Sequence, residues 1–536
     1  MASSAKDIQL RELMDTVSQL KTMMAEQTEL IRSLRTVIDE KTAHEAVLQE
    51  QVDYLTKKLF GTSSEKTHSD IPGQLNLFNE AEAEQDPSLP EEDCIEEPSP
   101  RKKKATHAEL FKGLTVHKQV IPLAEEDKIC PICGTPMERI GEEYVRRELV
   151  FTPARCEIYE YYTESYGCPN CKDGKGDTEK AVIIKSKAAP ALIGKGPASP
   201  STVAWTIYQK YANGMPLYRQ EKDWKEYGAA ISRTTLANWI IYSAEHYFRP
   251  LYDYFHRQLL LREFLMADET RVQVLKEPGR SAESQSFMWL FRTGEDGQPT
   301  ILLYGYTPTR SGSNAADFLN GFRGYLETDG YQGYNKVSGI KRCSCWAHIR
   351  RYFVDAIPKG KQLDYNQPAV QGVHYCDRLA RLESTITSKC GTDYEKRKQM
   401  RLEKEKPVLE AFWTWVDSQK PVRNTRLDKA LTYVKNRRET SMTYLEDGRC
   451  SFTNNLSENA IRPFTVGRKN WLFSDSVEGA QASAITYTMV EMAKAHNLNI
   501  YGYLSYVLEQ RPDETWSDEQ LAELAPWSEK LQTLKI

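Results

Sequence analysis

The chain has 536 residues, 27% charged and 40% hydrophobic, with a formal net charge of −4. That length exceeds what one hydrophobic core organises and predicts roughly three or four domains. No apolar run reaches the ~18 residues of a membrane-spanning helix, and the N-terminal MASSAKDIQLRELMD lacks the apolar segment of a signal peptide, so a cytoplasmic, reducing setting is expected, with no membrane partner and with cysteines as metal ligands or buried thiols.

Stepping 3, 4, 3, 4 from Leu10 to Leu59 meets apolar residues at twelve of fifteen positions, broken by Gln27, Lys41 and Glu45. A period of 3.5 sustained that long predicts a coiled coil over residues 1–62, and hence a homodimer or higher oligomer. The blander reading is one long helix folded back on its own chain. A linker over 63–104 follows. Its stretch 79–100 carries nine acids and no Lys or Arg, and setting them aside turns the net charge from −4 to +5. Few aromatics and several prolines predict an unstructured linker there. The basic run Arg101 to Lys104 reads equally well as a phosphate contact or a solvated linker end.

Residues 105–190 carry Cys130-Pro-Ile-Cys133-Gly and Cys168-Pro-Asn-Cys171-Lys. Each knuckle offers two thiolates to one tetrahedral Zn²⁺, which predicts structural zinc held by Cys130, Cys133, Cys168 and Cys171 in a zinc-ribbon-like module. A redox-active pair is the rival, but no βαβ pattern adjoins. The strands between the knuckles are expected to form a hairpin. Residues 191–250 read as three helices, ASPSTVAWTIYQKYANG, MPLYRQEKDWKEYG and RTTLANWIIYSAEHY, the last capped by Ser232. That order is a helix-turn-helix outline. Arg233, Thr234, Thr235 and Asn238 would open the recognition helix and reach base edges, over a core of Trp205, Leu217, Trp224, Leu236 and Trp239.

Residues 251–490 read as strands FLMADETRVQVL, SFMWLFRTG and PTILLYGYTP, helix SNAADFLNGF, strand GYLETDG, then RCSCW and helix AHIRRYFVDA. A three-strand meander followed by alternating helix and strand is the order of a ribonuclease-H-like α/β catalytic domain, in which the first and fourth strands are neighbours; this assignment is by analogy. A charged helical insertion is expected at about 361–450, and a C-terminal helical tail at 491–536. The fold class is therefore multidomain α+β.

Asp268 in MADET and Asp329 in ETDG each close a strand-like run, and Glu458 in NNLSENAIRP lies where a helix begins. Carboxylates with water suit Mg²⁺ or Mn²⁺, and two such ions can act on a phosphodiester. Asp268, Asp329 and Glu458 are thus the candidate catalytic and metal-binding acids, although each alone is an ordinary solvated carboxylate. Asp329 is preferred to Glu327, which shares its strand face, because Gly330 gives backbone room. Arg462 stands four residues after Glu458, and a plain salt bridge is the blander reading. With Arg468, Lys469, Arg350 and Arg351 it is assigned to DNA phosphates. Cys343, Cys345 and His348 lack an evident fourth ligand for a second zinc site.

MADET, TDGYQGYN, CWAHIRR and NNLSENAIRPFTVGRKNWLF, with LFGTSSEK at 59–66 and NLFNEAE at 76–82, resemble the insertion-sequence-66 family of DDE transposases over nearly the whole chain. The resemblance implies cut-and-join transposition with Mg²⁺ and catalysis by Asp268, Asp329 and Glu458. It implies binding to double-stranded DNA, at the element's terminal inverted repeats and at the target. It also implies accessory proteins of the same element and a nucleoid-associated protein of a bacterial-type cell. Two rivals stay open: a ribonuclease-H-like nuclease without strand transfer, and a zinc and helix-turn-helix regulator with an inactive catalytic fold.

Overall fold

The computed structural model describes scattered helical positions between 14 and 41, then residues 156–162, 165–167, 183–185, 190–194, 196–358 and 364–534. The four expected zinc ligands, the linker and much of the heptad segment lie outside the described residues. The chain divides into two compact units, 86–159 and the remainder. Of the smaller unit, residues 156–159 are exposed and without regular structure.

In the larger unit, β1 (Ser165–Gly167) pairs antiparallel with β2 (Ile183–Lys185). The second cysteine knuckle falls, in sequence, between these strands. Three helices follow where the sequence placed them. α1 (Pro200–Ile207) opens on a capping box between Ser199 and Thr202, with Pro200 where no N–H is needed. A π turn over Tyr208–Ala212 extends it. α2 (Leu217–Glu226) and α3 (Arg233–Ser243) come next, and the Ser232 hydroxyl caps α3 by accepting the Thr235 amide. After a second π turn, α4 (Arg249–Leu260) leads into the sheet.

β3 (Phe264–Lys276), β4 (Gln285–Thr293) and β5 (Leu302–Thr307) form an antiparallel meander. After α5 (Gly312–Phe318), β6 (Tyr325–Thr328) returns parallel to β3, pairing Leu265 with Leu326 and Met266 with Glu327. β7 (Lys341–Ser344) adds parallel to β6, giving the order β5-β4-β3-β6-β7. The first and fourth strands are therefore side by side. β3 spans the whole of the run FLMADETRVQVL and one residue more. Its far half pairs with the short β8 (Ser474–Ser476), through Val274 with Ser474 and Lys276 with Ser476.

α6 (Trp346–Asp355) follows β7, and α7 (Pro368–Cys390), α8 (Tyr394–Lys404), α9 (Lys406–Ser418) and α10 (Arg426–Lys435) form the insertion. α6, α7, α9 and α10 share a second buried cluster built on Trp346, Phe353, Phe412 and Trp413. α11 (Asn455–Trp471) then crosses back onto β3. α12 (Val477–Ala495) is buried along most of its length and seals the edge strand β5, where Thr488 Oγ1 accepts the Tyr304 amide at 2.9 Å. α13 (Ile500–Gln510) packs on α1, and α14 (Asp518–Glu523) on α4, before α15 (Glu529–Leu534). Leu236 and Trp239 of α3, the sheet and the tail share one core. No helix among the described residues is long and apolar enough to cross a membrane.

Candidate active site

Side chains alternate along a strand, so the pairing of Met266 with Glu327 puts Met266, Asp268, Glu327 and Asp329 on one face. Asp268 sits inside β3 rather than at its end, because antiparallel pairing with β4 continues to Gln273. Asp329 directly follows β6. Glu458 lies in the first turn of α11, whose N-cap is Asn454.

Asn454 fastens that turn to the sheet. Its side-chain amide donates to the Ala267 carbonyl at 3.0 Å, one residue before Asp268. Its backbone N–H donates to Cys345 Sγ at 3.1 Å. From β4, Arg292 Nη1 donates to the Leu456 carbonyl at 2.9 Å. Three tethers, two of them buried, thus deliver Glu458 across a gap in sequence that spacing alone leaves open.

The electrostatics record the convergence. Burial raises the Asp268 carboxyl well above its ordinary value, and the charges of Glu269, Glu458 and Asp329 raise it further. The Glu269 amide partly opposes this by donating to Asp268 Oδ1 at 2.8 Å. Asp329 Oδ1 accepts the Tyr331 amide at 2.8 Å, and Arg310 Nη2 stands 3.9 Å from its Oδ2. The donor set is three carboxylates, which suits a hard divalent cation.

The neighbouring acids separate clearly. Glu269 alternates away from Asp268 along β3; Arg310 Nε donates to it at 2.8 Å and the Tyr334 hydroxyl at 2.5 Å, so Arg310 stands between Glu269 and Asp329. Glu327 is 3% exposed and neither carboxylate oxygen has a hydrogen-bond partner. Burial pushes its carboxyl up to about 8 against the pull of Arg401, His348 and Arg342. The room at Gly330 is filled by Arg437, whose Nη2 donates to the Gly330 carbonyl, so an insertion residue braces the chain beside Asp329.

The expected basic contacts divide. Arg350 is buried and its Nε donates to Asp377 at 2.6 Å, tying α6 to α7, which corrects its assignment to DNA phosphate. The 3.6-residue period turns it inward. Arg351 is half-buried, Arg462 and Lys469 are exposed, and half-buried Arg468 places Nη1 3.4 Å from Thr270 Oγ1. Arg233, Thr234 and Asn238 are exposed at the start of α3, with Thr235 half-buried. Glu458 pairs not with Arg462 but with His348, at 3.7 Å from Oε1 to Nδ1. Sequence reasoning weighed Cys345 only beside Cys343 and His348; its approach, with His348, to Glu458 needs the fold. Asn454 had a legible signal, its place before a helix start. A cavity of about 260 Å³ lined by Trp289, Phe291 and Phe318 opens on the other face of the sheet, away from the three acids.

The family described as Transposase IS66 family matches residues 195–482. The zinc-finger binding domain of transposase IS66 matches 127–172, a span that contains all four knuckle cysteines and supports structural zinc. The IS66 C-terminal element matches 488–527, and Transposase C of IS166 homeodomain matches 47–117. An uncharacterized protein of Sinorhizobium fredii, y4qI, is 26% identical over 510 residues, covering 92% of this chain and 90% of its own length. A second from that organism, y4jD, is 26% identical over 420 residues, covering 76% and 79%. With one family spanning more than half of its residues and three companion domains of the same system beside it, the chain belongs to the IS66 transposase family.

Proposed function

We propose that this transposase is of the DDE type, with a ribonuclease-H-like catalytic domain and with Asp268, Asp329 and Glu458 as its catalytic acids. The observation that carries the reading is the convergence of three acids: the register of β3 and β6 sets Asp268 and Asp329 on one face, and Asn454, bonded to the Ala267 carbonyl, brings the start of α11 and Glu458 beside them. The strand order β5-β4-β3-β6-β7 supports the fold assignment.

The three carboxylates would hold Mg²⁺ or Mn²⁺, which supplies water activation and stabilisation of the leaving oxygen. The chain's own part is positioning. β3 and β6 fix two acids rigidly, and the Asn454 tethers fix the third. Cleavage forms a bond from water oxygen to phosphorus and breaks the bond to the 3′ oxygen, freeing a 3′-hydroxyl at the element end. Strand transfer repeats the displacement, with that hydroxyl attacking target DNA. Exposed Arg462 and Lys469 and half-buried Arg468 would meet phosphates, and Arg233, Thr234, Thr235 and Asn238 the terminal repeats. The heptad segment would pair two protomers so that two ends are held together.

Asp329→Asn keeps the shape of the side chain and removes its charge. It is expected to abolish strand transfer from a pre-cleaved end, at least a hundredfold, while binding to that end is retained. Unchanged transfer would remove Asp329 from the site. Cleavage without transfer in the wild-type protein would favour the simple nuclease.

A further inference from the structure

We propose that Cys345, His348 and Glu458 form a second metal site, of the zinc class, against the carboxylate trio. Their ligand atoms all lie within 4.8 Å of one another. Cys345 is the N-cap of α6, His348 lies in its first turn, and Glu458 lies in the first turn of α11, so two helix starts face each other.

The 3.7 Å from His348 Nδ1 to Glu458 Oε1 is too long for a hydrogen bond. It is close to the ~3.4 Å edge of a tetrahedron whose metal bonds are about 2.1 Å. Both atoms are buried and neither has a hydrogen-bond partner. Buried acceptors are normally satisfied, and these are not isolated cases. Asn454 Oδ1 is also buried without a donor, and Asn454 is bonded to Cys345 through its backbone. Orphaned acceptors gathered at one place call for a cation.

The sulfur selects which cation. Thiolate and imidazole favour zinc over magnesium. The Asn454 N–H to Cys345 Sγ bond, at 3.1 Å, is the outer support that a metal-bound thiolate uses. Binding breaks the Cys345 S–H bond, sends its proton to solvent and forms a zinc–sulfur bond. Three protein ligands leave the fourth position open to water or a substrate oxygen. One consequence rests on the transposase reading: Glu458 is shared, so Zn²⁺ here competes with Mg²⁺ for the third acid.

The test counts metal. Full-length wild type, His348→Ala and Cys345→Ser are incubated with excess Zn²⁺, freed of unbound metal by gel filtration, and assayed for zinc per chain. Each variant is expected to hold one zinc fewer than wild type, the zinc-finger segment accounting for the remainder. Equal counts overturn the proposal. With Co²⁺ as the probe, the wild-type minus Cys345→Ser spectrum is expected to carry a thiolate-to-cobalt charge-transfer band, and a featureless difference overturns it. Circular dichroism checks each variant's fold. Should buried Cys345→Ser unfold, His348→Gln at a half-buried position supplies the count. Failed strand transfer by protein freed of this zinc and supplied with Mg²⁺, beside an extra zinc in the count, would sink the transposase chemistry and leave this site standing; equal zinc counts with normal transfer would do the reverse.

Discussion

Glu327 shows how one buried carboxyl sets a pH dependence. Its folded value is about 8 against an ordinary 4.5, because burial disfavours the charge. The folded state therefore holds the proton to higher pH than the unfolded chain. Its contribution to stability is full below pH 4.5 and is lost as pH rises through the window toward 8. Glu327→Gln in metal-free protein should be near neutral at acid pH and increasingly stabilising above it, by at most about 1.4 kcal/mol per pH unit. Urea unfolding of both proteins at about pH 5 and about pH 8 checks this; the same difference at both pH values would refute it. At this scale the sequence was only partly legible. Asp268 and Asp329 were proposed from strand order, and the register of β3 and β6 sets them on one face; Asp329 was preferred to Glu327 for the glycine that follows. The glycine indeed matters, but for the room it gives Arg437. Arg350 was misread because its inward partner, Asp377, lies on a helix whose approach no local pattern reveals.

Among the elements, the insertion is what delivers the third acid. Arg401 of α8 is fully buried and pairs with Glu383 of α7, its Nε donating at 2.9 Å. Its Nη1 donates to the Tyr444 carbonyl at 3.0 Å, and its Nη2 to the Cys450 carbonyl at 3.0 Å. One guanidinium thus clamps the segment that runs into Asn454 and Glu458. Removing it leaves Glu383 buried without its cation and strips the Tyr444 and Cys450 carbonyls of that donor. Arg401→Ala should lose about 3–5 kcal/mol of stability, read as a lower denaturation midpoint. A shift within experimental error would mean that the clamp is dispensable. The sequence foretold a helical insertion from charge and periodicity, and Ser232 as a cap from its place before a helix. It did not foretell β8, three residues with no apolar signal. Asp268 was read as closing an apolar run, whereas β4 keeps pairing beyond it to Gln273.

At the scale of the whole molecule, the proposed chemistry on two element ends would need two sites held together, and the described residues of one chain offer one. The heptad segment is the natural means. Val17, Met24, Ile31, Leu34 and Ile38 are helical heptad positions whose side chains are exposed in the single chain. Such a stripe is stable in water only when another surface covers it, and a second copy presents the identical stripe in register. Gln27 and Lys41 fall on the same seam, where polar residues fix register at some expense of stability. The sequence made this stripe legible because its period is a local property. It left the partner open, since a seam reads the same whether covered by another chain or by its own. Deleting residues 1–62 distinguishes the two. If the seam joins protomers, the full chain should scatter light as a dimer or larger, and the truncated chain as a monomer with unchanged circular dichroism in its catalytic unit. It should still transfer a single pre-cleaved end, yet fail to join two ends into one complex. A truncated chain that remains dimeric would place the interface elsewhere. One that becomes monomeric but loses its fold would show that the stripe instead covers its own protein.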